Sequence, residues 1–133
     1  MEWMLMPYRR YAEFSGRSQR KEYWMFYLLF VIVYAVCLVI MGMGASSIDP
    51  VTGEISDGSA LASIGGGFLG LFVLGSFIPS LAVSIRRMHD QDRSGWWILC
   101  PIANVVFLFL DGTPGPNRFG PDPKGRGQAS AFA

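Results

Sequence analysis

Charge is what this chain has least of. Only 16% of its 133 residues are Asp, Glu, Lys or Arg, and they sum to a net charge of +1; soluble domains carry about 25%. The sequence pI of 7.8 gives no broadly basic surface, whereas nucleic-acid-binding domains usually exceed about 9. No nucleic-acid partner is expected. Cysteine is scarce as well. Cys37 and Cys100 both lie in apolar runs, where a free thiol behaves as a small hydrophobe, and such a pair offers neither a disulfide framework nor a paired metal site. No metal and no cofactor are expected. No internal repeat is visible, and Gly65, Gly66 and Gly67 lack the Lys, Ser or Thr that a phosphate-cradling loop needs at fixed offset.

Apolar side chains fill the space that charge leaves. Half of the chain, 51%, is hydrophobic and the mean hydropathy is +0.33, which excludes intrinsic disorder and argues against a water-soluble globule. Tyr23 to Met43 is 21 residues without a charge, about 31 Å of helix against a hydrocarbon core of about 30 Å. Ser59 to Ile85 is a second uncharged run of 27 residues. Trp96 to Leu110 is a third of only 15, about 22 Å as a helix. The expected fold is an all-α, helical integral membrane protein. It forms a small bundle of about three transmembrane segments, the third short or re-entrant, with helices near 18–43, 59–87 and 94–110. Residues 1–124 form a single membrane domain, and 125–133 read as a disordered tail.

Local signals refine this. Ser18 is the predicted N-cap of the first span, and Tyr23, Trp24, Trp96 and Trp97 are predicted interface anchors. Ala62, Gly66 and Gly70 share one helix face and are expected to admit a neighbouring backbone of the same chain. Pro79 cannot donate to the carbonyl of Gly75, which predicts a kink over 75–79. The Asn104 amide should face another helix, because lipid offers it no partner. Ahead of the first span, the aromatics between Trp3 and Phe14 fit a short interfacial helix after Pro7, or a loose leader.

Basic residues set the sidedness. Residues 1–22 carry five, 44–58 none, and 86–95 three, so the N-terminus and the 86–95 loop are expected on the cytoplasmic side. A full third span would place the tail, with Arg118, Lys124 and Arg126, on the opposite side. That is the favoured expectation, since the first helix usually dominates topology; a re-entrant third segment would return the tail to the other basic pieces.

Three stretches carry a pattern: FSGRSQRKEYW from Phe14 to Trp24, IRRMHDQDRSGWW from Ile85 to Trp97, and GTPGPNRFGPDP from Gly112 to Pro123. In this order they resemble the DUF805 family of small bacterial inner-membrane proteins, over about Tyr8 to Lys124. The resemblance implies a bacterial plasma-membrane protein with a few transmembrane helices and no established biochemical activity.

The candidate site follows from charge. Arg17, Arg20, Lys21, Arg86, Arg87 and Arg93 would form a basic ring for anionic headgroups or a partner membrane protein. Glu22, Asp90 and Asp92 are the acids available to pair with them. His89 is expected to pair with Asp90, Asp92 or Glu22, and Asn117 and Arg118 to dock on polar helix ends. The leading function is a non-enzymatic membrane component contacting lipid or another membrane protein, itself or a homo-oligomer partner included. The rivals are a subunit of an oligomeric transporter or channel, lined by Asn104 and the glycine stripe, and a membrane enzyme using His89 with Asp90.

Overall fold

The computed structural model describes residues 2–45, 49–54 and 58–126. In order they form α1 (Glu2–Arg9), α2 (Arg20–Ala45), α3 (Gly58–His89), a 3₁₀ turn (Gly95–Leu99) and α4 (Pro101–Phe109). Among the described residues no strand forms, and the single β-bridge joins Asn117 to Gly120. Over Arg20–Gly44 and Ala60–His89, α2 and α3 are long and apolar enough to cross a membrane. The chain divides into two compact units, a central one of Leu28–Phe77 and a terminal one of Met1–Tyr27 with Ile78–Ala133.

In the central unit, α2 and α3 leave most of their apolar side chains uncovered, with Val39 62% and both Leu71 and Leu74 73% exposed. The core helix of a soluble protein would hide such residues; hydrocarbon solvates them without cost. Phe30 and Phe72 meet at 5.1 Å between ring centroids. The close approach falls at Gly65, where a Cβ would lie 3.0 Å from Met41 Cγ. It does not fall on the expected stripe: Gly66 would reach only the tip of Met41, at 3.8 Å, and Gly70 meets nothing within 4 Å. The register differs by one residue because α2 presents Cys37, Ile40 and Met41 to α3 at that height.

The terminal unit holds a small core of Tyr23, Phe26, Val83, Met88 and Leu108, flanked by Tyr8, Tyr27 and Phe107. Tyr23 is therefore buried in this core rather than anchored at an interface, because α1 lies over that part of α2, with Tyr8 5.4 Å from Phe26. Pro7 sits inside α1, so the helix precedes the position expected for it. A proline this near the end of a short helix removes few backbone bonds. Ser18 does not cap α2: Tyr23 N–H donates to the Gln19 carbonyl, which makes Gln19 the first residue to accept, and Ser18 N–H turns to Arg86 O at 3.1 Å. Helix α3 runs unbroken through Pro79. It ends in paired bonds, Arg93 N–H to Met88 O and Asp92 N–H to His89 O, with Asp92 at φ 56°; this is the Schellman arrangement, with Asp92 where glycine is usual.

The third apolar run does not form the expected helix over 94–110, nor a span. Cys100 precedes Pro101, a position that disfavours helical backbone, and it is extended at φ −98°, ψ 96°. Helix α4 restarts with Pro101 in its first turn and has 9 residues, about 13 Å, less than half of a bilayer core of about 30 Å. Its end returns to where it began. Arg87 donates to the carbonyls of Phe107 and Leu110, Gln91 donates to the same two, and Trp97 meets Phe107 at 5.7 Å. The segment doubles back on itself, and the tail rejoins the charged end of α3. Residues 125 and 126 of the expected disordered tail are in place, with Gly125 N–H on Asp122 O; residues 127–133 lie outside the described residues. So does the side chain of Asn104.

Candidate functional site: a buried ion network at the polar end of the helices

Arg17 holds the three sequence motifs together. It lies in the connection between α1 and α2, and its Nε donates to Asp90 Oδ1 at 3.0 Å, just past the end of α3. Its other nitrogens donate to the carbonyls of Thr113 and Gly115, each at 2.6 Å, and one stands 3.9 Å from Asp122 Oδ1. One planar guanidinium thus ties the first motif to the second and to the third. The five-donor fork of arginine suits this; a lysine would offer a point charge.

Around it stand two further buried pairs. Arg87 Nη1 donates to Asp90 Oδ2 at 2.7 Å, and Arg86 Nη2 donates to Glu22 Oε1 at 3.1 Å. Arg86 and Arg87 are wholly buried. Three buried guanidiniums, of Arg17, Arg86 and Arg87, therefore face three carboxylates, of Glu22, Asp90 and Asp122, none with a side chain more than 3% exposed. The interior charge closes to zero. Burial raises the Asp90 carboxyl above its ordinary range, opposed by the hydrogen bond from Arg17 and the charge of Arg87. Such networks add little net stability as a whole, but removing one partner costs about 3–5 kcal/mol. Gly112 is required here: a Cβ on it would lie 1.9 Å from Asp90 Oδ2.

The tail is strapped over this network. Thr113 N–H donates to Asp90 O at 2.8 Å, and Asn117 Nδ2 donates to His89 O at 2.9 Å and Thr113 Oγ1 at 3.1 Å. Phe119 stacks on the His89 ring at 3.9 Å, 5° from parallel. The His89 Nδ1 donates to Gly16 O at 3.2 Å, since a carbonyl can only accept. Asp111 takes Lys124 and Arg126, the latter at 3.0 Å, and Asp122 takes Arg126 at 2.9 Å. The hydrogen bond from Lys124 holds the Asp111 carboxyl down to about 2, against the opposing effect of burial. For Asp122, burial pushes upward, yet Arg126 and the N–H groups of Lys124 and Gly115 win and hold it well below the usual carboxylate range.

The six cations of the expected basic ring separate accordingly. Arg17, Arg86 and Arg87 are inside and committed to carboxylates, Glu22 and Asp90 among them, so they present no surface to a headgroup. Arg20 is half-buried, 3.6 Å from Asp111 and bonded to Phe109 O. Lys21 and Arg93 are exposed and lie over aromatic rings, Lys21 over Trp3 at 5.3 Å and Arg93 over Trp97 and Phe107 at 5.8 and 5.7 Å. Asp92 meets Arg118 at 3.2 Å on the surface. His89 pairs with neither Asp90, Asp92 nor Glu22 as expected: its ring goes to Gly16 O and Phe119, while Asp90 is occupied by two guanidiniums. Trp24 packs on Phe109 at 5.1 Å, and Trp96 is 79% exposed. Gln91, Gly112, Thr113 and Asp122 were not singled out by sequence reasoning, although all four lie within the second and third motifs; the motif boundaries were the available signal.

Two membrane-length helices with uncovered apolar faces, joined to a buried polar network at one end, define a small helical membrane protein. The family described as "Protein of unknown function (DUF805)" matches residues 11–121, and the chain belongs to it. It is similar to Inner membrane protein YhaI of Escherichia coli (strain K12), 40% identical over 131 residues that cover 93% of this chain and 97% of the relative. It is also similar to Inner membrane protein YhaH of the same organism, 39% identical over 132 residues that cover 93% and 98%. No solved structure matches.

Proposed function

We propose that the protein is a non-enzymatic component of a bacterial inner membrane, with its N-terminus cytoplasmic, whose polar end contacts anionic lipid headgroups. The names of its relatives support the compartment, and the excess of basic residues in 1–22 and 86–95 supports the orientation. One observation carries the lipid reading. The interior arginines are neutralised by interior carboxylates, whereas Lys21 and Arg93 are exposed, rest on aromatic rings and, among the described residues, pair with no carboxylate. Each such cation near an anionic surface contributes about 1 kcal/mol. Trp96 and Trp97 suit the same depth.

The test is the composition of lipid that accompanies the full chain from mixed phosphatidylglycerol and phosphatidylcholine membranes into nanodiscs. Lys21→Gln combined with Arg93→Gln should abolish the enrichment of phosphatidylglycerol while the melting temperature stays within a few degrees of the parent. Enrichment equal in parent and variant removes the reading.

A further inference from the structure

The ion network leaves one side of the doubled-back segment unused, and a cavity lies there. A groove of about 460 Å³ runs between the end of α3 and the 3₁₀ turn, walled by Phe14, Leu81, Ile85, Ile98 and Leu99, with Trp96 at its edge. Ser94, Trp96 and Leu99 also border a second hollow of about 430 Å³ that reaches Trp97 and Pro101, so the two adjoin. Either volume is of the size that holds a small ligand, about 300–1,000 Å³. Among the described residues, no carboxylate lines either one. Gly95 shapes the wall: a Cβ there would lie 2.8 Å from Ile85 Cγ2, so only glycine lets the turn approach α3 this closely.

A cation stands next in sequence to this groove. Arg93 precedes Ser94, and its guanidinium is held over the Trp97 and Phe107 rings. It pairs with no carboxylate among the described residues, whereas Arg17, Arg86, Arg87, Arg118 and Arg126 all do. An apolar channel beside an unneutralised cation on an aromatic platform matches the two ends of one kind of molecule. Trp96 and Leu99 are 79% and 73% exposed, so the groove is open at the surface, where such a molecule can enter.

We propose that this groove is a specific site for one anionic phospholipid, an acyl chain lying along Ile85, Ile98 and Leu99 and the phosphate accepting from Arg93. The proposal rests on the lipid-contact reading above and sharpens it from a general headgroup attraction to a single built site. A soluble phosphate would have no use for the apolar walls, and a neutral lipid none for Arg93.

Native mass spectrometry of the full chain in non-denaturing detergent, titrated with dioleoyl phosphatidylglycerol or dioleoyl phosphatidylcholine, tests it. One phosphatidylglycerol should remain bound under conditions that strip the rest. Arg93→Gln should weaken that binding about fivefold, the value of one surface cation, and leave phosphatidylcholine unaffected. Ser94→Trp, which fills the groove, should weaken both lipids, with Ile98→Trp as a second groove-filling variant if the first fails to fold. Glycerol phosphate should not compete. Binding of phosphatidylglycerol that is indifferent to Arg93→Gln and to both groove-filling variants overturns the site. If Lys21→Gln alone then lowers phosphatidylglycerol, the general reading survives without the groove; if no variant does, both fall.

Discussion

At the scale of single residues, the network makes glycine and carboxylate positions more sensitive than their size suggests. Gly112→Ala would drive a methyl group into Asp90, and the buried arginines would lose their acid; a loss of about 3–5 kcal/mol is expected, read from thermal unfolding in detergent. Gly115→Ala meets no neighbour within 4 Å but must hold φ +76°, which costs about 1–2 kcal/mol, so it should fall clearly short of Gly112→Ala. A comparable loss in both variants would contradict the packing at Asp90. The Glu22–Arg86 pair makes the complementary point. Glu22→Leu alone strands a wholly buried guanidinium and should cost about 3–5 kcal/mol, whereas Glu22→Leu with Arg86→Met should recover most of it. A double-mutant cycle measures that recovery.

At the scale of elements, the long apolar runs were legible because uncharged stretches of 21 and 27 residues are long enough as helices to cross hydrocarbon, and the three motifs were legible as one family. The third run was legible only in part. Its length of 15 residues left both a short span and a re-entrant piece open, and the Cys100–Pro101 pair that stops the helix was available in the sequence. Ser18 and Tyr23 were misplaced for another reason: α1 and the end of α3 cover them, and contacts that distant leave no periodic trace. The same holds for Asp111 and Asp122, which look like ordinary surface acids until the tail folds back onto them. The tail strap should respond to acid. Both carboxyls have lowered folded values, so their contribution is complete above the unfolded value of about 4 and is lost as pH falls toward about 2. Asp111 is exposed, and its share is correspondingly small. A spin label at Arg118→Cys, with Cys37 and Cys100 replaced, should become more mobile between pH 4 and 2; a label unchanged over that window would contradict the strap.

At the scale of the whole molecule, the buried network requires the tail to lie on the same side of the membrane as the loop before α2. Arg17 cannot bond Thr113 and Gly115, nor can Asn117 reach His89, unless residues 95–110 leave and re-enter from one face. A chain with a third full span would separate the motifs by about 30 Å of hydrocarbon, leaving Arg17 and Arg87 buried without Thr113, Gly115 or Asp122 near them. The direct measurement is impermeant thiol labelling of Lys21→Cys and Arg118→Cys, made singly in a background lacking Cys37 and Cys100, in right-side-out and inverted vesicles. Labelling of both positions from the same face is the expected result, and labelling of Arg118→Cys from the face opposite to Lys21→Cys would contradict the account.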